Sequence, residues 1–380
     1  MIPRLVQEKI LTVTKSLNKA ILILGPRQAG KTVVLKSLKT QFEALAKKTI
    51  YFNCDLAEDL EKIDTNAITL LSRITSGIDY ILIDEAQRMR NPGLTIKIIH
   101  DNMPNVQVIA TGSSSFELKN KISDAMTGRY LDFYLLPLSM REIIAKDLPV
   151  KAELLASDLM LYGAYPEVYL QNQPDLKKVM LSKIIESYLF KDILAFSKIR
   201  NSRAIQDLTR ALAYQVGGEM NENELASRLK IDRKTLLSYL EILEQAFVIY
   251  RLFPYSQNPR REIGRKYKVY FVDLGIRNSL IGDFSSLNLR SDLGALWENF
   301  LVIERIKKLG GFGAFLQTYF WRSYNGSEVD WVEVDGSIKS AWEFKYNQRA
   351  SLSRGAGVFS TTYQTPVESV NSQNFLDKFI

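Results

Sequence analysis

The sequence predicts an α/β chain built from several domains, and three observations carry that expectation. In the first third, apolar runs of strand length alternate with stretches of helical periodicity, the pattern of a mostly parallel sheet. One of these runs opens into a glycine-bounded loop and then a helix, with the spacing that cradles phosphates. Further on, two short helical patterns meet at a polar break, and near the end a helix is followed by strands around an Asp-Gly turn. At 380 residues the chain exceeds one ordinary domain. With 46% hydrophobic and 24% charged residues, it has the composition of a globular protein.

Several chemistries are excluded at the outset. The chain has one cysteine, Cys54, and one histidine, His100, so it can form no internal disulfide and no Cys/His zinc site. The N-terminal MIPRLVQEKILTV is broken by charges and lacks a signal-like apolar segment. No apolar run reaches the roughly 18 residues of a membrane span. A cytoplasmic protein without a membrane partner is expected. The net charge of +8 permits a polyanionic partner.

The first strand is Ala20 to Leu24, followed by GPRQAGKT (Gly25, Pro26, Arg27, Gln28, Ala29, Gly30, Lys31, Thr32) and a helix marked by Val33, Val34, Leu35 and Leu38. Strand, loop and helix are the context a P-loop requires. Backbone N–H groups at the helix N-terminus face the phosphates, and the glycines let the chain pass close to them. Lys31 reaches the terminal phosphates of ATP, and Thr32 ligates Mg²⁺. A second strand is expected at Thr49 to Asn53. In YILIDEAQ, Tyr80 to Ile83 form a buried strand with Asp84 and Glu85 at its carboxyl end, the edge where doubly wound sheets bind ligands. Asp84 fits a Mg²⁺ ligand and Glu85 the base that polarises the attacking water. VQVIATGSSS is a further strand whose hydroxyls, Ser113 or Ser114, either sense the phosphate or water or simply form a polar turn. Leu131 to Leu136 is the last strand of this sheet.

The order GPRQAGKT, LIDEAQ, ATGSSS and TGRYLDFYLLPLS resembles the AAA+ superfamily. More narrowly, it resembles bacterial and archaeal AAA ATPases that carry a C-terminal domain of unknown function. The resemblance implies ATP hydrolysis with Mg²⁺, and it implies that Arg129 of TGRY is a finger or sensor arginine. Acting across a subunit boundary, that arginine would imply a homo-oligomeric ring. GAYPEV (Gly163 to Val168) and SYLFKDIL imply a helical lid.

In NENELASRLKIDRKTLLSYLEILEQAF (221–247), Leu225, Leu229, Ile231, Leu236, Leu237, Leu240 and Leu243 fit two helices with a break near Lys230 to Asp232. Asp232 is the expected N-cap of the second helix. This is helix-turn-helix geometry, with Arg233, Lys234, Ser238 and Tyr239 as candidates for the DNA-facing side. The next stretch reads as a wing and returning strand carrying Arg260, Arg261, Arg265, Lys266 and Lys268. A basic wing favours DNA contact without sequence specificity, although the same fold also serves as a protein adaptor and a charge run as a solvated face.

At the C-terminal end, EVDWVEVDGSIKSAWEFKYN (328–347) reads as a hairpin. If Asp335-Gly336 is a two-residue turn, Val334 pairs with Ser337, Asp330 lies opposite Ala341, and Glu328 lies opposite Glu343. Asp330, Glu343 and Lys345 then share one face, within reach of a bridging cation, and Trp342 and Phe344 share the other. A plain ion-pair ladder is the alternative. Helix Ser291 to Leu309, strand Phe315 to Trp321, the hairpin, a helix and a strand near Pro366 to Val370 give the order αβββαβ. The segment resembles the PD-(D/E)XK restriction-endonuclease-like fold in GALWENF, WRSYNGSEVDWV and WEFK. The resemblance implies a Mg²⁺ site from Glu298, Asp330 and Glu343, with Lys345 catalytic.

The expected domains are an AAA+ P-loop ATPase over 1–145, a helical lid over 146–200, a winged helix-turn-helix over 201–285 and a nuclease-like module over 286–380. The expected function is that of a Mg²⁺-dependent ATPase that binds and remodels or processes DNA, including branched DNA. A nucleotide-gated switch that recruits proteins and carries an inert nuclease fold is the alternative.

Overall fold

The computed structural model describes residues 2–112, 122, 126–146, 151–190, 193, 201–256, 266–312, 316–323 and 326–380. Ser113, Ser114, Arg260, Arg261 and Arg265 lie outside the described residues. The chain folds as two compact units. The first runs up to Leu138 and adds 245–247 and 310–313; the second contains 139–244, 248–309 and 314–380. Residues 1–138 supply most of the first unit, and the segments expected as lid, winged helix and C-terminal module fall largely within the second.

In the first unit, strands β1 (Ala20–Leu24), β2 (Thr49–Asn53), β3 (Tyr80–Asp84), β4 (Gln107–Gly112) and β5 (Tyr130–Tyr134) form a parallel sheet in the order β2-β3-β4-β1-β5. Helices α1 (Leu5–Ser16), α2 (Lys31–Ala44), α3 (Ala57–Ile63), α4 (Ile68–Thr75) and α5 (Pro92–Asn102) accompany it. β1 is apolar at every position because it lies between β4 and β5 and is buried along its whole length. α2 buries Val34, Leu35, Leu38 and Phe42, a helical stripe that packs on Ile21, Ile23, Leu82 and Ile109. Phe42 stacks on Tyr80 with ring centroids 3.8 Å apart. β4 separates β1 from β3, so the end of β4 lies between the loop after β1 and the acids after β3.

The second unit contains α6 (Met140–Lys146), α7 (Ala152–Tyr162), α8 (Pro166–Leu170), α9 (Pro174–Ile184), α10 (Ser202–Tyr214), α11 (Glu222–Leu229), α12 (Arg233–Gln245) and α13 (Leu274–Ile281). After them come α14 (Leu293–Leu309), α15 (Arg354–Tyr363) and α16 (Phe375–Lys378). The GAYPEV segment fixes α7 and α8 onto α13. Gly163 closes α7 at φ +74, and a Cβ there would stand 2.0 Å from Asp273 Oδ1. Asp273 caps α13 by accepting from Ile276 N at 3.1 Å and also accepts from Ala164 N at 2.7 Å. Between α11 and α12, Lys230 takes a left-handed conformation (φ 54). Asp232 then caps α12, accepting from Thr235 N at 2.8 Å and Thr235 Oγ1 at 2.6 Å.

The second sheet joins regions expected to be separate. Strands β6 (Ile249–Pro254), β7 (Lys268–Phe271), β8 (Gln317–Arg322), β9 (Glu328–Asp335), β10 (Ser337–Phe344) and β11 (Val367–Val370) lie in the order β11-β10-β9-β8-β6-β7. β6 and β7, expected within a wing and returning strand, pair with each other, and β6 pairs in parallel with β8 at Phe253 and Pro254. That pairing satisfies an edge that a wing would leave open.

The hairpin register also differs from expectation. Asp335 pairs with Ser337 about Gly336 (φ +70), an irregularity follows at Ile338/Ser340, and Trp331 then faces Trp342. The last pair of that ladder, Trp342 with Trp331, is displaced by two residues from the expected register, which sets Trp342 against Val329.

Candidate functional site

The loop after β1 is built by close backbone approaches. Gly25 is required first by the fold: a Cβ there would lie 2.0 Å from Leu135 O, because Leu135 N donates to Leu24 O at 2.7 Å. Gln28 (φ 60) and Gly30 (φ 97) turn the loop through the left-handed region, and α2 starts at Lys31. The buried Arg4 guanidinium buttresses the loop, donating to Ala29 O at 2.7 Å and to Leu136 O at 2.5 Å. Sequence inspection gave Arg4 no role; a lone arginine before a helix carries no signal.

Lys31 is 4% exposed, and its Nζ donates to Gly25 O at 2.9 Å and Pro26 O at 2.8 Å. Burial lowers its pKa to about 8, with Glu85 and Asp84 pulling the other way. Asp84, at the end of β3, is buried and held on both oxygens. Thr111 Oγ1 donates to Oδ1, and Tyr51 OH donates to Oδ2 at 2.9 Å. The same Thr111 oxygen accepts from Glu85 N at 3.1 Å. Glu85 sits at φ 52, ψ 44, an uncommon conformation for this residue, and Gln87 Nε2 donates to its carboxylate. The hydroxyl beside the acids is therefore Thr111 of β4. Ser113 and Ser114, the candidates expected from the sequence, lie outside the described residues.

The donor set fits Mg²⁺, a hard cation that takes oxygen ligands: the Thr32 hydroxyl lies on the first turn of α2, and the Asp84 carboxylate ends β3. Arg129 is not part of this group. It precedes β5, its carbonyl accepts from Ala20 N at 3.0 Å, and its Nε pairs with Asp101 Oδ1 at 3.0 Å. It thus lies at the start of β1, whereas the loop lies at the end. Strand rise separates the two by about 15 Å. A role for Arg129 at this chain's own phosphates is inconsistent with that position.

The C-terminal acids divide into two groups. Glu343 Oε1 pairs with Lys345 Nζ at 2.5 Å, and Glu343 Oε2 accepts from Ser353 N at 2.8 Å, at the N-terminus of α15. Glu298 of α14, Glu328 and Asp330 form a separate cluster, with ligand oxygens all within 4.8 Å of one another. A bulge in β9 makes the division. Against β8, Tyr319 faces Val332 but Trp321 faces Val329, so two residues of β9 stand against one of β8. Val329 and Val332 both pack with Ala356 and Phe359 of α15, and Asp330 is turned toward α14. Among the described residues, Glu298 and Asp330 of the expected set cluster with Glu328, while Glu343 pairs with Lys345.

Lys268 of β7 lies within that cluster. It is 3% exposed, and its Nζ donates to Glu298 Oε1 at 2.7 Å and to Glu328 Oε1. Tyr270 OH donates to the same Glu298 oxygen at 2.6 Å. Burial works to lower the Lys268 pKa, but Glu298, Glu328 and Asp330 together hold it above its usual value. Burial, and then Glu298, push Asp330 up to about 8 against the opposing pull of Lys268 and the Phe344 N–H. Lys268, counted from the sequence among the basic residues of a wing and returning strand, begins the strand β7 that returns against β6, and its side chain is buried.

On α12, Lys234 and Ser238 are exposed, as is Lys266 just before β7. Arg233 pairs with Glu222, Nη2 to Oε2 at 2.6 Å. Tyr239 is buried, 6% exposed, and is not available to DNA.

Residues 17–144 match a family described as "AAA domain", while 154–287 and 293–370 match two families described as domains of unknown function, DUF8612 and DUF4143. An uncharacterized protein of Haemophilus influenzae is 26% identical over 344 residues, covering 86% of this chain and 81% of its own length. Uncharacterized protein Rv2008c of Mycobacterium tuberculosis is 26% identical over 347 residues, covering 90% and 74%. Among solved structures, the Walker-type ATPase PABY2304 of Pyrococcus abyssi is similar at 17% identity and a TM-score of 0.49, covering 74% of this chain and 96% of that one. The replication initiator DnaA bound to AMPPCP and single-stranded DNA is similar at 18% identity and a TM-score of 0.34, covering 64% and 90%. The first unit is a P-loop domain of the AAA type, on the family match and the loop itself. Among the described residues, no helix is long and apolar enough to cross a membrane.

Proposed function

We propose that the chain is a Mg²⁺-dependent ATPase that engages DNA through the helix-turn-helix of its second unit. The observation that carries the ATPase half is the convergence of Lys31, Asp84, Thr111 and Glu85 at the carboxyl edge of the first sheet. Lys31 and the N–H groups of 25–32 bind the polyphosphate. Thr32 and Asp84 would hold Mg²⁺, which supplies charge neutralisation at the transferring phosphate. Glu85 takes a proton from the attacking water. Thr111 positions both acids through one oxygen, and Arg4 keeps the loop in shape. Arg129 enters this scheme only across a subunit boundary, from a second copy of the chain.

The DNA half is supported by the exposed Lys234, Ser238 and Lys266 and by the net charge of +8. It is tested by the ATPase rate with duplex, branched and single-stranded DNA, and by DNA affinity at 50 and 200 mM salt. With about three phosphate contacts, affinity falls about 40-fold over that range. A flat salt response removes DNA from the scheme. No hydrolysis under any condition removes the ATPase. One observation favours a second reading, a nucleotide-gated switch that recruits a protein: the ion pair with Glu222 already neutralises Arg233. In that case nucleotide turnover persists without DNA affinity.

A further inference from the structure

The Glu298–Glu328–Asp330 cluster has the composition of a divalent-cation site, yet it does not fit one as folded. The Lys268 ammonium is already bound to Glu298 Oε1 and Glu328 Oε1, two of the oxygens a metal would need. It also stands over the Phe320 ring, 5.4 Å from the centroid. An ammonium has three donors and no acceptor. Two carboxylates and an aromatic face suit those donors, whereas Mg²⁺ or Mn²⁺ takes oxygen ligands on every side, and Mg²⁺ gives up its water reluctantly. The ring closes a side where a metal would need a ligand.

The lysine is also fixed from behind. Its strand β7 pairs with β6 through Leu252 opposite Lys268, and Glu219 bridges to Lys268 from the preceding segment. Clearing the site for a metal would mean moving a nearly fully buried side chain out of a paired strand. A dication and the ammonium cannot share the same two oxygens, because both are positive and would stand within a few ångströms of each other.

We infer that this cluster is a cage for the Lys268 ammonium, and that Lys268 excludes divalent metal from it. The αβββαβ element order of the C-terminal segment then holds its three acids together by an internal cation, and no metal-activated water forms there. This inference is independent of the ATPase scheme, because it is read without nucleotide.

The test is Mn²⁺ binding to the full chain, followed by electron paramagnetic resonance of free Mn²⁺ in nucleotide-free buffer. Four proteins are compared: wild type, Asp330→Asn, Lys268→Met, and the double variant Lys268→Met/Asp330→Asn. Wild type and Asp330→Asn are expected to give superimposable titrations. Lys268→Met is expected to gain one site at least ten-fold tighter than any in wild type, and the double variant to lose it. A wild-type site that Asp330→Asn abolishes overturns the inference, as does a folded Lys268→Met protein that gains no site. Should Lys268→Met fail to fold, the wild-type and Asp330→Asn pair still decides whether metal enters the cluster.

Discussion

Lys31 and Lys268 are the same side chain at the same degree of burial, 4% and 3% exposed, and they respond in opposite directions. Lys31 donates to two backbone carbonyls, with Glu85 and Asp84 near but not bonded to it, and its pKa falls to about 8. Lys268 donates directly to two carboxylates, with a third beside them, and its pKa rises above the ordinary value. Burial penalises both ammonium groups; what differs is the number of full negative charges in contact. Neutral carbonyls leave Lys31 able to transfer its hydrogen bonds to a more highly charged ligand. The carboxylates around Lys268 leave it nothing to gain from one. On the proposed function and the inference above, a buried lysine is a binding group in one unit and a structural cation in the other.

The largest expected effect sharpens the contrast between the acids of the two regions. Glu85→Gln should retain ATP binding while turnover drops about a hundred- to ten-thousand-fold, the range of a lost general base. Single-turnover hydrolysis beside equilibrium binding of a labelled nucleotide checks this, and turnover at the wild-type rate would remove Glu85 as the base.

Next comes the same substitution made at both lysines. Lys31→Ala should weaken ATP binding about 100-fold, the worth of a charged hydrogen-bond donor, without lowering the unfolding free energy. Lys268→Ala should lower that free energy by about 3 kcal/mol, because it strands buried acids, and leave ATP affinity within about two-fold. Urea unfolding and nucleotide titration on both variants read the two effects. Equal stability losses would mean that the lysines do not differ in kind.

The smallest effect is a proton. With a pKa of about 8, Lys31 is mostly neutral at pH 9 in the free protein, and a polyphosphate favours its charged form. ATP binding at pH 9 should therefore take up close to one proton and weaken as pH rises further. Calorimetry in buffers of different ionisation enthalpy measures the uptake, which should vanish in Lys31→Ala. The signs for folding stability are opposite at the two sites. The cost of charging buried Lys31 is present below pH 8 and is relieved as pH rises toward the unfolded-state value. The stabilisation from Lys268 is complete below the unfolded-state pKa of about 10.4 and is lost as pH rises through its raised folded value.

Where the first candidate site lies was legible in the sequence. β1 and β2 have the bounds the sequence predicts, and GPRQAGKT, Asp84 and Glu85 fall at the carboxyl edge of one sheet. The helix-turn-helix break at Lys230 and the Asp232 cap were equally plain, because each is decided within four or five residues. Thr111 was missed in favour of the serines that follow it, since a strand's last inward hydroxyl looks the same as its neighbours until β3 and β4 are paired. The C-terminal acids were identified by type, but which of them cluster was not legible from the strand pattern.

What the sequence by itself determined is the phosphate loop. Its donors are consecutive backbone N–H groups and one lysine, so local geometry is sufficient to assemble them. What only the tertiary structure decided is which carboxylates meet and what neutralises them. Lys268, Glu298, Glu328 and Asp330 come from three elements, and a single-residue bulge in β9 reassigns Asp330 from one face to the other. Side chains alternate along a strand with a period of two, so one inserted residue, invisible in the sequence, changes every partner beyond it.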